Sequence, residues 1–314
     1  GEGGRFDYLL IEGTGIAEPL PVASTFSFRD EAGVSLSDIA RLDTMVTVVD
    51  AANLLRDYGS NDFLRDRGET AGDGDDRTLV DLLVEQIEFA DVIVINKVSD
   101  VPPEKLHLVR HVVRALNADA RILETDFGQA PLAAILDTGL FDEEKAQRHP
   151  LWFKELYEPE KHVAETEEYG IGSFVYRARR PFHPQKFKAF IDRTWPGLIR
   201  AKGHFWLSTR TRWVGEFSLA GAVARVSGLG YWWAAVNKAE WSREQVDALH
   251  RNPHWHAIWG DRRQELVFIG MDMDEAAIRA ALDACLVGTS ETERLTKDDF
   301  AAFDPFPAWE PAKE

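Results

Sequence analysis

Two short polar segments, each closing an apolar run, hold the side chains best suited to chemistry. Glu12 follows FDYLLI and precedes Gly13, Thr14 and Gly15. A carboxylate at such a strand tip can hold a water on Mg²⁺ or orient a water for attack. Gly15 would let a backbone N–H come close to a terminal phosphate. Asn96 and Lys97 follow ADVIVI. An Asn at that place can bond a guanine edge and bridge neighbouring loops, with the Lys laid along the base. An Asp two residues after the Lys would accept both the ring and the exocyclic N–H of guanine, a pattern adenine does not present. Here that position is Ser99, and Asp100 follows it. A hydroxyl accepts less strongly than a carboxylate and is not bidentate, so either Asp100 reaches the base or guanine preference is weak. Each segment alone also reads as a polar turn after a strand. Their order and separation fit one nucleotide site.

Other candidates are weaker. His250, His254 and His256 form an H-x₃-H-x-H cluster near Asp261, and neutral imidazoles are common metal ligands. Trp255 and Trp259 interleave with them, which also fits ordinary surface histidines beside aromatics. His183 and His204 show no partner in the sequence and read as core or surface hydrogen-bonding groups. Arg177, Arg179, Arg180, Arg200 and Lys202 could form a local basic patch. Cys285 shares a helical face with Ile278, Ala281 and Leu282 and reads as a core thiol.

Strands must deliver these residues. FDYLLIEG (6–13), MVTVVDA (45–51), ADVIVINK (90–97) and ARILETD (120–126) are short, apolar and closed by polar or Gly residues, so each reads as a buried strand. Between them, 77–90 and 102–117 carry apolar residues at helical spacing; Leu106, Val109, Val112, Val113 and Leu116 share one face. Alternation of this kind predicts an α/β domain, residues 1–154, with a mostly parallel sheet and helices on both faces. Ligands of such sheets sit outside the carboxyl ends of the strands, where both opening segments fall. Residues 59–77 read as a polar surface insertion and 155–170 as an acidic linker.

All ten tryptophans lie at or after Trp152. Strands at 171–178 and 264–271, a meander over 197–209, 213–227 and 231–236, and helices at 184–195 and 274–287 predict a smaller α+β domain. It spans 171–290 with a mainly antiparallel sheet, and 291–314 reads as a tail or strap.

The formal net charge of −17 argues against nucleic acid or an anionic membrane as partner. No apolar run approaches a membrane span and no signal-peptide pattern opens the chain, so a cytoplasmic location is expected. One cysteine excludes a disulfide framework within the chain.

The residues together resemble the CobW-type GTPases, P-loop proteins linked to delivery of cobalt, zinc and other metals. IEGTGIAEPLPVA resembles that family's Walker-B and switch segment, VTVVDAANLL its next strand and EQIEFADVIVINK its guanine-recognition strand. RRPFHPQKF, IRAKGHFWL and GDRRQELVFIG are similar to signatures of its C-terminal domain. The resemblance implies a P-loop-type sheet, GTP and Mg²⁺ as ligands, and Zn²⁺ or Co²⁺ as the metal carried. The partner implied is a client metalloprotein or metal-cofactor enzyme, and a homo-oligomer is compatible with it. Carried over, Glu12 is the Walker-B acid, Gly15 the backbone sensing the γ-phosphate with Thr14 beside it, and Asn96, Lys97 and Asp100 the base-recognition group. No G-x-x-x-x-G-K-[ST] occurs in the 314 residues, and the resemblance places that loop and a Cys-x-Cys-Cys metal motif upstream of Gly1. This chain alone is therefore expected to be inactive, and a client-binding role without catalysis is the alternative.

Overall fold

The β-branched runs of the first half pair side by side in one direction, and those of the second half pair antiparallel. The computed structural model describes residues 7–13, 17–29, 33–60, 78–142, 171–236, 242, 255–288 and 304–309. The chain divides into two compact units, Gly1–Lys154 and Glu155–Glu314.

In the first unit the elements run α1 (Pro19–Ser27), β1 (Val46–Asp50), α2 (Leu54–Tyr58), α3 (Leu79–Glu88), β2 (Val92–Asn96), α4 (Pro103–Leu116) and β3 (Arg121–Thr125). The sheet has the order β1-β2-β3. Both pairings are parallel, and their register sets Asp50 beside Asn96 and Asn96 beside Thr125. Val92, Ile93, Val94 and Ile95 are all buried, as a central parallel strand with both faces covered requires. Helix α3 begins at Thr78, whose side chain exchanges hydrogen bonds with Asp81 in a capping box. Helix α4 opens with Pro103 at a position where the missing N–H costs nothing, and it buries Val109, Val112, Val113 and Leu116.

One polar side chain ties these elements together. Asn117, fully buried at the end of α4, donates from Nδ2 to the carbonyls of Ile87, Glu88 and Ala90. Its Oδ1 accepts from the N–H groups of Asp119 and Ala120. The carbonyls left over at the end of α3 and the donors of the turn into β3 are thus satisfied by one amide.

Residues 7–13 depart from expectation. They form no strand among the described residues, and Leu9, Leu10 and Ile11 are exposed, Leu10 at 77%. A buried parallel strand needs a ladder partner for its N–H and C=O groups, and no ladder reaches this segment among the described residues. The neighbouring face of β1 is open too, with Val48 65% exposed. Most of the polar insertion (61–77) and the acidic linker lie outside the described residues.

The second unit comprises β4 (Ile171–Ala178), α5 (Pro184–Ile191), β5 (Leu198–Phe205), β6 (Trp213–Ala220), β7 (Val223–Tyr231), β8 (Gln264–Met271) and α6 (Glu275–Cys285). The five strands take the order β4-β8-β5-β6-β7, every pairing antiparallel. The expected strand at 231–236 is instead a 3₁₀ turn at Trp233–Ala235, because Asp261 accepts from the N–H groups of Trp233 and Ala234 and draws the backbone out of the ladder. Phe174, Phe187, Phe190, Phe205, Phe217, Phe268, Ile278 and Leu282 form one core.

Residues 304–309 complete that core. Phe306 is buried in it, and Trp309 lies edge-on to Phe205 and Trp213. Asp304 takes two nitrogens of Arg210 at 2.7 and 3.0 Å and the Thr209 hydroxyl, while the Arg210 guanidinium also stands 4.3 Å over the Trp309 ring. Gly228 makes room for the indole: a Cβ there would lie 2.8 Å from the Trp309 side chain. The tail read from composition is, over these six residues, a strap.

Two outcomes follow for stability. Trp309→Ala should lower the unfolding free energy of the second unit by roughly 3 kcal/mol, from lost apolar burial and ring contact. Asn117→Ala should cost the first unit roughly 2–4 kcal/mol, because several buried backbone groups lose their partner. Urea denaturation of each variant beside the parent checks both.

Candidate functional site

The carboxyl ends of β1, β2 and β3 lie level, and the loops leaving them are cross-tied. Asn96 accepts through Oδ1 from the N–H of Gly128, 3.0 Å away on the turn after β3. Lys97 adopts the left-handed conformation, φ 63°, and its Nζ reaches Oδ2 of Asp50 at 2.7 Å. Asp50 also accepts from Asn53 Nδ2 and from the N–H of Ala52. Burial alone would raise the Asp50 carboxyl, but the bonds from Lys97, Asn53 and Ala52 outweigh it and hold it below its ordinary value. The same bond to Asp50 raises Lys97, so the pair is ionised.

Residues Val98–Asp100 form a 3₁₀ turn, with the N–H of Asp100 donating to the Lys97 carbonyl at 3.2 Å. Ser99 donates from both its N–H and its hydroxyl to Oδ1 of Asp126, each at 3.0 Å. Asp100 is exposed and makes no hydrogen bond through its side chain among the described residues. Three residues per turn set neighbouring side chains about 120° apart, so Ser99 and Asp100 face different ways.

Glu12 is exposed and bonds to nothing among the described residues; Thr14 and Gly15 lie outside them. Before Glu12, the Tyr8 hydroxyl donates to Asp43 at 2.8 Å. Asp43 accepts also from Thr44 and from the N–H groups of Thr138 and Gly139. Burial pushes this carboxyl up, but the hydrogen bonds from Gly139, Tyr8, Thr44 and Thr138 prevail and hold it at about 2. After the segment, Gln86 of α3 donates to the carbonyl of Ala17 at 3.2 Å.

The second unit brings no metal donor set together: among the described residues no group of three or more His, Cys, Asp or Glu could hold an ion. His254 and His250 lie outside the described residues. His256 uses Nδ1 to accept from the N–H groups of Ile258 and Trp259, a turn-capping role that leaves only Nε2 for a ligand. The basic residues do not form a free patch. Arg177 pairs with buried Glu265, Lys202 with Glu216, and Arg200 and Arg180 bond carbonyls. The strand register sets His204 between Glu265 and Glu216, and burial lowers its imidazole so that it is neutral near pH 7. Cys285 is buried, with Sγ 3.2 Å from the Ala281 carbonyl, and burial pushes the thiol up to about 11. It is a packed thiol, not a nucleophile.

Sequence reasoning passed over Asp50 and Asp126. Both close apolar runs that it read as strands, and an acid at the tip of a strand neighbouring Asn96 was the available signal.

Asp43 supplies a pH test. Its folded-state value near 2 lies below the ordinary 3.8, so it stabilises the fold above that ordinary value and ceases to as pH falls through about 2. Asp43→Asn removes this dependence. The stability difference between parent and variant, from urea denaturation at pH 6, 4 and 2.5, should shrink steadily toward the acid end.

Residues 2–124 match the CobW/HypB/UreG nucleotide-binding domain, and residues 171–286 match the cobalamin synthesis protein cobW C-terminal domain. The chain is 41% identical over 292 residues to zinc-regulated GTPase metalloprotein activator 1 of Dictyostelium discoideum, covering 91% of this chain and 61% of that protein. It is 29% identical over 271 residues to a zinc chaperone of Mycobacterium tuberculosis, covering 86% of this chain and 62% of that one. The chain thus spans about three fifths of the length of these relatives. A crystal structure of Zn(II)-bound YjiA GTPase from E. coli is similar at 21% identity and a TM-score of 0.33, over 90% of this chain and 72% of that one. Both domain matches occur on one polypeptide, nucleotide-binding domain first, and each covers its own compact unit. The chain belongs to the CobW family.

Proposed function

We propose that the full-length protein is a GTP-dependent metallochaperone that delivers Zn²⁺ to a client metalloprotein. One observation carries the nucleotide half of this reading: Asn96 and Lys97 sit at the tip of the central parallel strand. There Asn96 fastens the loop after β2 to the turn after β3, and Lys97 is held by Asp50. That is where open α/β sheets take their ligands. The names of the relatives support the metal half, since one is a zinc-regulated metalloprotein activator and another a zinc chaperone. The same names favour zinc over cobalt as cargo.

The residues fit Mg²⁺ to a limited degree. Asp50 is committed to Lys97, whereas the exposed carboxylate of Glu12 is uncommitted and is a hard oxygen donor of the kind this ion takes. Glu12 would hold Mg²⁺ through a water, and the ion would offset charge on the phosphates. Lys97 and Asn96 bind and orient the base, and Glu12 orients the attacking water. Thr14 and Gly15 follow Glu12 directly, so a change in the terminal phosphate would be felt by the segment leading to α1. Hydrolysis then serves as a conformational signal to the second unit's client. No described helix is long and apolar enough to cross a membrane, and the acidic chain fits a protein client better than a nucleic acid.

The test uses the full-length protein with Mg²⁺. Asn96→Ala should weaken binding of a fluorescent GTP analogue by about tenfold or more. Glu12→Ala should keep binding within a few fold and lower single-turnover hydrolysis by about 10²-fold. Hydrolysis untouched by Glu12→Ala overturns the role given to that residue. Zinc transfer to a client that proceeds equally with and without GTP would leave a binding protein that does not use the nucleotide.

A further inference from the structure

The Asn-Lys segment lacks the carboxylate that would read guanine, and the structure puts another one beside the place. We propose that Asp126, on the turn after β3, supplies that carboxylate, and that Ser99 and Asp126 together set preference for a guanine base. The proposal rests on the nucleotide reading above and names the residues that give it specificity.

Geometry supports the assignment. Ser99 holds the position, two residues after Lys97, at which an acid would accept the two guanine N–H groups. Its N–H and hydroxyl both point at Oδ1 of Asp126, 3.0 Å from each. The carboxylate is therefore fixed within hydrogen-bond reach of the residue whose side chain it replaces. A carboxylate has about four acceptor sites. Ser99 fills those of Oδ1, while Oδ2 accepts no hydrogen bond among the described residues. The Ser99 hydroxyl, whose O–H bonds Asp126, keeps its own lone pairs for accepting. One composite acceptor, part carboxylate and part hydroxyl polarised by it, thus matches two donors on one base edge.

The backbone holds this pair in place. Lys97, two residues before Ser99, has φ 63°, and Phe127, directly after Asp126, has φ 54°. Left-handed conformations in side-chain-bearing residues cost free energy and persist where surrounding contacts impose them. Here the contacts are Asn96 to Gly128 and Ser99 to Asp126, which close the two loops on each other. Asp100 has no comparable fixation and faces away from Ser99's direction on the 3₁₀ turn. The two sequence alternatives, Asp100 reaching the base or a weak guanine preference, both give way to a carboxylate from the turn after β3.

The chemistry offers a gain-of-function test. Guanine carries an amino group at C2 where xanthine carries a carbonyl. Asp126→Asn replaces one acceptor by an NH₂ donor, so it should weaken guanine nucleotides and strengthen xanthine nucleotides. In the full-length protein, with equilibrium binding of fluorescent GDP, XDP and ADP analogues, the variant should lose roughly 10- to 100-fold for GDP. It should gain for XDP, reversing the order of preference. Misfolding cannot produce a gain, and Ser99→Ala should give a smaller GDP loss with no XDP gain. A parent-like GDP-over-XDP preference in Asp126→Asn overturns the assignment while leaving the nucleotide reading intact. An XDP gain from Asp100→Asn instead would return the role to Asp100. A parent protein that binds no guanine nucleotide overturns both.

Discussion

The first unit depends on three parallel strands ending at the same height. Backbone ladders between β1, β2 and β3 set Asp50, Asn96 and Thr125 side by side. No side chain could impose that alignment alone. A shift of one residue in either ladder would turn each strand's side chains to the opposite face and separate Lys97 from Asp50 and Ser99 from Asp126. The burial of β2 on both faces guards against such a slip, because every residue from Val92 to Ile95 would have to leave its packing site. Apolar packing in the middle of the sheet thus controls the polar geometry at its rim.

Much of this scaffold is written in local pattern. The runs read as strands at 45–51, 90–97, 120–126, 171–178 and 264–271 contain β1, β2, β3, β4 and β8. Helical spacing within 77–90 and 102–117 encloses α3 and α4. Apolar periodicity carries that information because burial is decided residue by residue along one element. Residues 7–13 show where it stops: the run is as apolar as its neighbours, but a strand also requires a partner, and partnership is not a local property. The 3₁₀ turn after β7 is the same lesson in reverse, since Asp261, 28 residues from Trp233, takes the N–H groups that a ladder would have used.

The candidate site was legible in part. Asn96, Lys97 and Glu12 stand out by type and position. The missing acid after Asn-Lys was equally visible as an absence. What no spacing rule could show is that a residue 27 positions later stands against Ser99. Such compensation crosses from one strand tip to the next and exists only in three dimensions. The basic residues of the second unit mislead for a related reason. They cluster in sequence, yet register sets Arg177 against Glu265, and Lys202 reaches Glu216 on the diagonal, so the cluster is largely neutralised.

The strap at 304–309 also orders events in time. Arg210 and Asp304 are 94 residues apart, and the apolar face holding Phe205 and Phe217 is closed only when Phe306 and Trp309 arrive. The last strand beneath it, β8, ends at Met271, so at ribosomal speeds of about 5–20 residues per second that face stays uncovered for roughly 2–8 seconds after the sheet has emerged. During that interval the nascent second unit presents aromatic surface of the kind that chaperones hold and that other unfinished chains can seize. Residues 304–309 are therefore the ones that end this vulnerability.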